Sequence, residues 1–222
     1  MISRNTGEVI RKDIILNKYI LLDIKSNKDL KYHSGQYISL FINDKTQRSF
    51  SVYSPDNSKI ISLGIKLEEH GIASDTILNN VVLGDKIDFL GPIGNFYYQN
   101  DESDKLVFIA TGIGIVPIKG IIDTLLDKKN LKIFLLWGVR SEEDLLFHFT
   151  DYRITYRQAI SRRKNKLENK RYVQDYINSN IIPFDTNTSF YICGSPENVD
   201  VIKYNIKDTF NVDFNKIYTE KF

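Results

Sequence analysis

Four short stretches carry residue types able to grip a flat, anionic ligand. RSFSVYS (48–54) sets Arg48 and Phe50 on one side of an alternating strand and Ser49 and Ser51 on the other. A cation beside an aromatic ring suits a phosphate attached to a planar ring system, because a guanidinium holds two phosphate oxygens at once. An ordinary edge strand would show the same alternation. EHGIASDTI (69–77) puts Gly71, Ile72, Ala73 and Ser74 at the expected start of a helix. Backbone N–H groups there, with the Ser74 hydroxyl, can hold a phosphate, although a simple N-cap accounts for the same residues.

TGIGIVP (111–117) follows an apolar run and opens a helical pattern. Thr111, Gly112 and Gly114 let a ligand approach the backbone, and Pro117 suits the first turn. The full G-x-G-x-x-G spacing is missing, and a plain strand–turn–helix corner reads the same way. ICGSP (192–196) repeats the arrangement: Gly194 opens the turn, Ser195 can cap and Pro196 can start the helix. Cys193 then stands at the carboxyl edge of a strand, although a lone cysteine is more often a small buried hydrophobe. WGVR (137–140) adds a third glycine-bearing strand end, with Gly138 and Arg140. Ligands of open α/β sheets bind at such ends.

Other chemistries find little support. The histidines (His33, His70, His148) lie far apart, and one cysteine excludes an internal disulfide framework and any four-cysteine zinc or iron–sulfur site. No acid–base pair or nucleophilic triad is visible. Thirty Lys and Arg against 28 Asp and Glu leave a net charge of +2, which makes no case for nucleic acid. MISRNTGEVIRKD lacks a signal-peptide core, and no apolar run nears the roughly 18 residues of a membrane span, so the cytoplasm is the expected compartment.

The elements that position these stretches fall into two groups. At 222 residues, with 42% hydrophobic and 26% charged, the chain is globular and long enough for one large or two smaller domains. QNDESDK (99–105) is the most linker-like stretch, dividing 1–99 from 105–222. Before it, strands at 8–16, 19–25, 36–42, 48–53, 60–67 and 86–90 alternate with turn signals and suit a small antiparallel barrel. LGDKIDFLGPIGNF (83–96) reads as hairpin scaffold. After it, LVFIA (106–110), LKIFLLWG (131–138), 153–161, SFYIC (189–193) and 215–219 read as strands. They alternate with helices at Ile118–Leu125, near 172–179 and over 196–209, and Ser141 with Asp144 can cap a short one. Such alternation means a parallel α/β sheet.

In order along the chain, RSFS, GIAS, GDKIDFLGPIGNF, TGIGIVP, WGVR, ICGSP and the closing EKF resemble the signature stretches of the ferredoxin–NADP reductase superfamily, from about SGQY (34–37) to Phe222. The resemblance implies a flavin-binding β-barrel followed by an NAD(P)-binding α/β domain, with flavin and nicotinamide meeting between them. It implies that Arg48 pairs with the flavin pyrophosphate, Phe50 lies against the isoalloxazine and Ser51 bonds near its reactive nitrogen. Gly71 and Ser74 would complete a pyrophosphate site, which favours FAD over FMN. Thr111, Gly112, Gly114 and Pro117 would receive the pyridine nucleotide, Cys193 and Gly194 would flank the nicotinamide, and Phe222 would cover the flavin. Phe50 stands where the family more often has tyrosine, which removes one hydroxyl contact.

Ser161 and Arg162, in the basic stretch AISRRKNKLENKRY (159–172), resemble the pair that binds the 2′-phosphate of NADP in this family. Arg171 could assist, although Lys170 replaces the family's glycine. The resemblance thus favours NADP(H) over NAD(H); a solvated cationic loop is the plain alternative. The expected activity is an FAD-dependent NAD(P)H oxidoreductase passing electrons to ferredoxin or flavodoxin, which the same cations could steer. An NAD(P)H:flavin reductase, the reductase component of an oxygenase, and an electron-transfer subunit active only inside a complex are the alternatives.

Overall fold

The computed structural model describes residues 3–43, 45–126, 131–162, 171–179 and 181–222. The chain divides into two compact units, Met1–Tyr98 with Lys119–Thr124, and Gln99–Ile118 with Leu125–Phe222.

The first unit contains β1 (Arg4–Ile15), β2 (Tyr19–Ser26), β3 (Tyr37–Asn43), β4 (Thr46–Ser51), β5 (Ile60–Lys66), α1 (Ile72–Asn79) and β6 (Lys86–Ile93). The strands form one antiparallel sheet in the order β4-β3-β6-β1-β2-β5. Just past β4, Val52 bridges Leu63 of β5, and the Tyr53 N–H donates to the Ser62 carbonyl at 2.9 Å. The two outermost strands therefore meet and the sheet closes into a barrel. Ile20, Leu22 and Ile24 of β2 point inward at period two, onto Ile38, Leu40, Leu63 and Phe89. Ile77 of α1 joins this core, and Lys12 Nζ donates to the Leu78 and Val81 carbonyls at the helix's C-terminal end.

Three barrel strands differ from the alternation read in the sequence. β1 starts at Arg4 because its polar first turn pairs with β6, and Arg4 holds Asp88 at 2.7 Å. β6 runs on through Gly91 and Pro92 to Ile93, which pairs with Tyr37. β4 covers 46–51, since beyond Ser51 the chain leaves β3 and turns toward β5.

The second unit holds β7 (Lys105–Thr111), part of α2 (Ile115–Leu125), β8 (Lys132–Val139), β9 (Ile154–Ile160), α3 (Val173–Asn178), β10 (Thr188–Gly194), α4 (Pro196–Phe210) and β11 (Ile217–Lys221). All five strands are parallel, in the order β11-β10-β7-β8-β9. The inner strands are buried on both faces, which explains their unbroken apolar runs. On one face Val107, Ile109, Phe134, Leu136, Phe190 and Ile192 pack against α3 and α4. A one-turn 3₁₀ helix, Glu142–Asp144, replaces the short helix expected after Ser141, and Asp144 accepts from the Ser141 N–H and hydroxyl.

Candidate functional site

The parallel sheet has one dominant chemical feature: its strands end in register. Thr111 lies opposite Gly138, Val139 opposite Ile160, Cys193 opposite both Ala110 and Glu220, and Gly194 opposite Lys221. The ends of TGIG, WGVR, AISR and ICGS therefore share a single sheet edge. Phe222 joins them, its N–H donating to the Gly194 carbonyl at 3.3 Å.

Two of the turns lie backbone against backbone. A Cβ on Gly114 would stand 2.3 Å from the Cys193 carbonyl oxygen, and one on Gly194 would stand 1.9 Å from Thr111 Oγ1. Neither position admits a side chain without displacement. Gly112 differs, with φ +55° and no atom within 4 Å of where a Cβ would be. Its peptide faces open space on that side, and on the other its carbonyl accepts a 2.8 Å hydrogen bond from Trp137 Nε1. Gly138 has a packing reason instead, since a Cβ there would meet Val173 Cγ2 at 2.7 Å. Pro117 is the third residue of α2 and is buried.

Thr111 Oγ1 is buried and has no hydrogen-bond partner among the described residues. Leaving such an atom unpaired is costly, so a polar ligand group arriving beside Gly194 would relieve it. Cys193 is fully buried, and burial pushes its thiol well up, with the Glu220 carboxylate adding to the effect. It is a neutral thiol that shapes the floor of the edge. Glu220 itself is half-buried, and burial raises its carboxyl pKa. The sequence reading passed over Glu220, although its place in a terminal strand, two residues before Phe222, was a usable signal. Ser195 does not cap α4 through its hydroxyl; that oxygen accepts from Asn198 Nδ2 at 2.8 Å, while Pro196 takes the first helical position.

The arginines gather at the outer end of the same edge. Ser161 N–H donates to the Val139 carbonyl, Arg162 N–H to the Arg140 carbonyl at 2.7 Å, and Arg171 N–H to the Ile160 carbonyl. Arg140, Arg162 and Arg171 are exposed, and the Arg171 guanidinium lies 5.3 Å from the Tyr176 ring centroid. The intervening residues 163–170, Lys170 among them, lie outside the described residues.

In the first unit, β4 presents the other candidate residues. Arg48 pairs with Leu40 and Phe50 with Ile38, so both share the side of the core residues of β3. Phe50 is half-buried and leans on that core, whereas Arg48 is exposed and donates only to the neighbouring Gln47 carbonyl among its described bonds. Ser49 is exposed and Ser51 half-buried, opposite Ser39 and Tyr37. Gly71 is the N-cap of α1, Ile72 is exposed and Ala73 half-buried. Ser74 is neither the cap nor open: it is buried, and its hydroxyl accepts from the Glu68 N–H at 2.8 Å. Asp75 already places a negative charge in that first turn. Among the described residues no group of His, Cys, Asp and Glu could hold a metal, and no helix is long and apolar enough to cross a membrane.

Residues 7–98 match a family described as the oxidoreductase FAD-binding domain, and residues 108–203 one described as the oxidoreductase NAD-binding domain. The anthranilate 1,2-dioxygenase electron transfer component of Acinetobacter baylyi is 28% identical over 88% of this chain and 59% of its own length. Among solved structures, an Amycolatopsis cytochrome P450 reductase aligns with a TM-score of 0.85 at 20% identity, covering all of this chain and 70% of that one. Ferredoxin-NADP+ reductase from Plasmodium falciparum, solved with 2′P-AMP, aligns with a TM-score of 0.83 at 24% identity, over 98% and 95% of the two chains. The chain spans about 60% or less of the length of the curated relatives it matches.

Proposed function

The chain belongs to the ferredoxin–NADP reductase-like oxidoreductases, an FAD-binding domain followed by an NAD-binding one, and on that premise we propose that it draws electrons from NADPH through FAD to a separate ferredoxin, flavodoxin or oxygenase component. The observation that carries this reading is the single sheet edge, where two abutting glycine turns, an orphaned hydroxyl and three exposed arginines line up.

The residues fit both groups. On the NAD(P)-binding side, Gly112 leaves its backbone open to a ligand, and Thr111 Oγ1 waits for a polar partner beside Gly194. Arg140, Ser161, Arg162 and Arg171 form a cationic end suited to a 2′-phosphate, which favours NADPH over NADH. On the FAD-binding side, Arg48 has an exposed guanidinium for pyrophosphate, Phe50 a half-exposed ring for stacking and Ser51 a hydroxyl for hydrogen bonding. The α1 N-terminus contributes backbone N–H groups through Gly71, Ile72 and Ala73. The Ser74 hydroxyl contributes indirectly, by holding the Glu68 loop against that helix start. FAD, when bound, accepts a hydride from a reduced nicotinamide and gives up electrons one at a time. The protein's own work is alignment and exclusion of water: Cys193 and Gly194 form a dry floor, and Phe222 an exposed ring at the same edge.

The oxygenase-component alternative is favoured by the dioxygenase electron transfer component among the curated relatives. Anaerobic mixing of the flavin-loaded protein with NADPH or NADH is the test. Rapid loss of the oxidised-flavin absorbance with NADPH, and slower loss with NADH, is expected. No bleaching with either nucleotide would make the chain a non-catalytic module. Steady-state rates with ferredoxin, flavodoxin and free FAD then separate the acceptors, and loss of all flavin on gel filtration would favour a flavin reductase.

A further inference from the structure

We infer that Trp137 is a positioning residue for the pyridine nucleotide, fixing the peptide between Gly112 and Ile113 so that its N–H faces the ligand; this rests on the reading that the TGIGIVP turn receives NAD(P)H. Trp137 comes from β8, opposite Ala110 of β7, and is fully buried. Its indole Nε1–H donates to the Gly112 carbonyl at 2.8 Å. A buried indole N–H demands a partner, and here the partner is the one carbonyl whose orientation sets the turn.

The geometry follows from the peptide bond. In a planar trans peptide the C=O and the following N–H point in opposite directions. Drawing the Gly112 carbonyl toward Trp137 therefore directs the Ile113 N–H away from the sheet interior. Gly112 adopts φ +55°, a conformation that only glycine holds readily, and no neighbouring atom packs against its open side to maintain it. No packing on the Cβ side of Gly112 fixes the peptide; the indole bond holds it from the side of the sheet. A donor held in advance toward an anionic ligand avoids an ordering cost on binding.

Trp137→Phe keeps an aromatic ring in the strand and removes the donor, together with part of the buried ring volume. In anaerobic stopped-flow mixing, the NADPH concentration for half-maximal flavin bleaching should rise about tenfold, the effect of losing one hydrogen-bond constraint, while the limiting rate stays within twofold. Benzothienylalanine at position 137, which carries sulfur where indole carries N–H, removes the donor at nearly constant ring volume and should show the same split, whereas a loss confined to Trp137→Phe would trace to the missing volume and overturn the inference. Unchanged half-saturation in either variant would overturn the inference. If Trp137→Phe does not fold, the benzothienylalanine variant alone decides it by the same criterion. Failure of the parent protein to bleach at all refutes the underlying functional reading instead, and is seen before any variant is made.

Discussion

Gly114→Ala tests the abutment of the two glycine turns most directly. The new Cβ would stand 2.3 Å from the Cys193 carbonyl oxygen, 2.5 Å from its carbon and 2.9 Å from the Gly194 nitrogen. All three are backbone atoms of a central strand, so no side chain can swing aside. Ordinary contact lies near 3.5 Å, and the turn and strand must part by about 1 Å. Overpacking of this kind costs about 2–3 kcal/mol, at the upper end because backbone must move. Urea denaturation followed by circular dichroism reads that loss as a lower midpoint with an unchanged slope. A displacement of about 1 Å at a binding edge can weaken catalysis by ~100-fold, so NADPH-driven bleaching should fall far more than flavin content, which depends on the other unit. Gly112→Ala is the contrast: its Cβ is unobstructed and only the positive φ opposes it, for about 1 kcal/mol. A Gly114→Ala protein as stable as the parent, with parental nucleotide affinity, would refute the packing argument.

Three further outcomes are expected. Arg162→Ala should raise the KM for NADPH about tenfold or more and that for NADH less than twofold; equal effects on both would remove the case for a 2′-phosphate site. Cys193 should resist iodoacetamide at pH 8 while the protein is folded and react fully in urea, since its buried thiol holds its proton; rapid native alkylation, read by mass, would contradict that. Glu220 binds its proton more tightly in the folded protein than in the unfolded chain. Its contribution to stability is therefore present below the ordinary carboxylate range and is lost as pH rises through the raised value. Glu220→Gln should thus melt higher than the parent at pH 8 and alongside it at pH 4; the reverse order would refute the assignment.

The plan of two units with glycine-bearing strand ends was legible because the buried strands β7, β8 and β10 are unbroken apolar runs closed by glycine. Hydrophobic period and glycine are both local signals. The departures arise where a non-local partner decides. Arg4 to Gly7 lie before the first expected strand, 8–16, yet they are strand because β6 pairs with them and Asp88 answers Arg4. Gly91 and Pro92 read as punctuation, yet β6 continues through them to reach Tyr37. Ser74 stands in the first turn of α1, as expected, but its hydroxyl accepts from the Glu68 N–H. Ser195 is the N-cap of α4, as expected, but its hydroxyl accepts from Asn198 rather than from the helix backbone. Motif and position located the site; which hydroxyl is engaged and which is orphaned depends on neighbours distant in sequence. The Trp137–Gly112 bond is of that kind, joining residues 25 apart that only strand register brings together.

That bond also gives the protein an optical property. Trp137 is the sole tryptophan in the chain, so all indole emission originates under the TGIG turn. Excited at the red edge of indole absorption, where the thirteen tyrosines do not absorb, the unlabelled protein gives a single-site signal. Its wavelength and lifetime can follow that turn in real time during unfolding or on addition of a pyridine nucleotide.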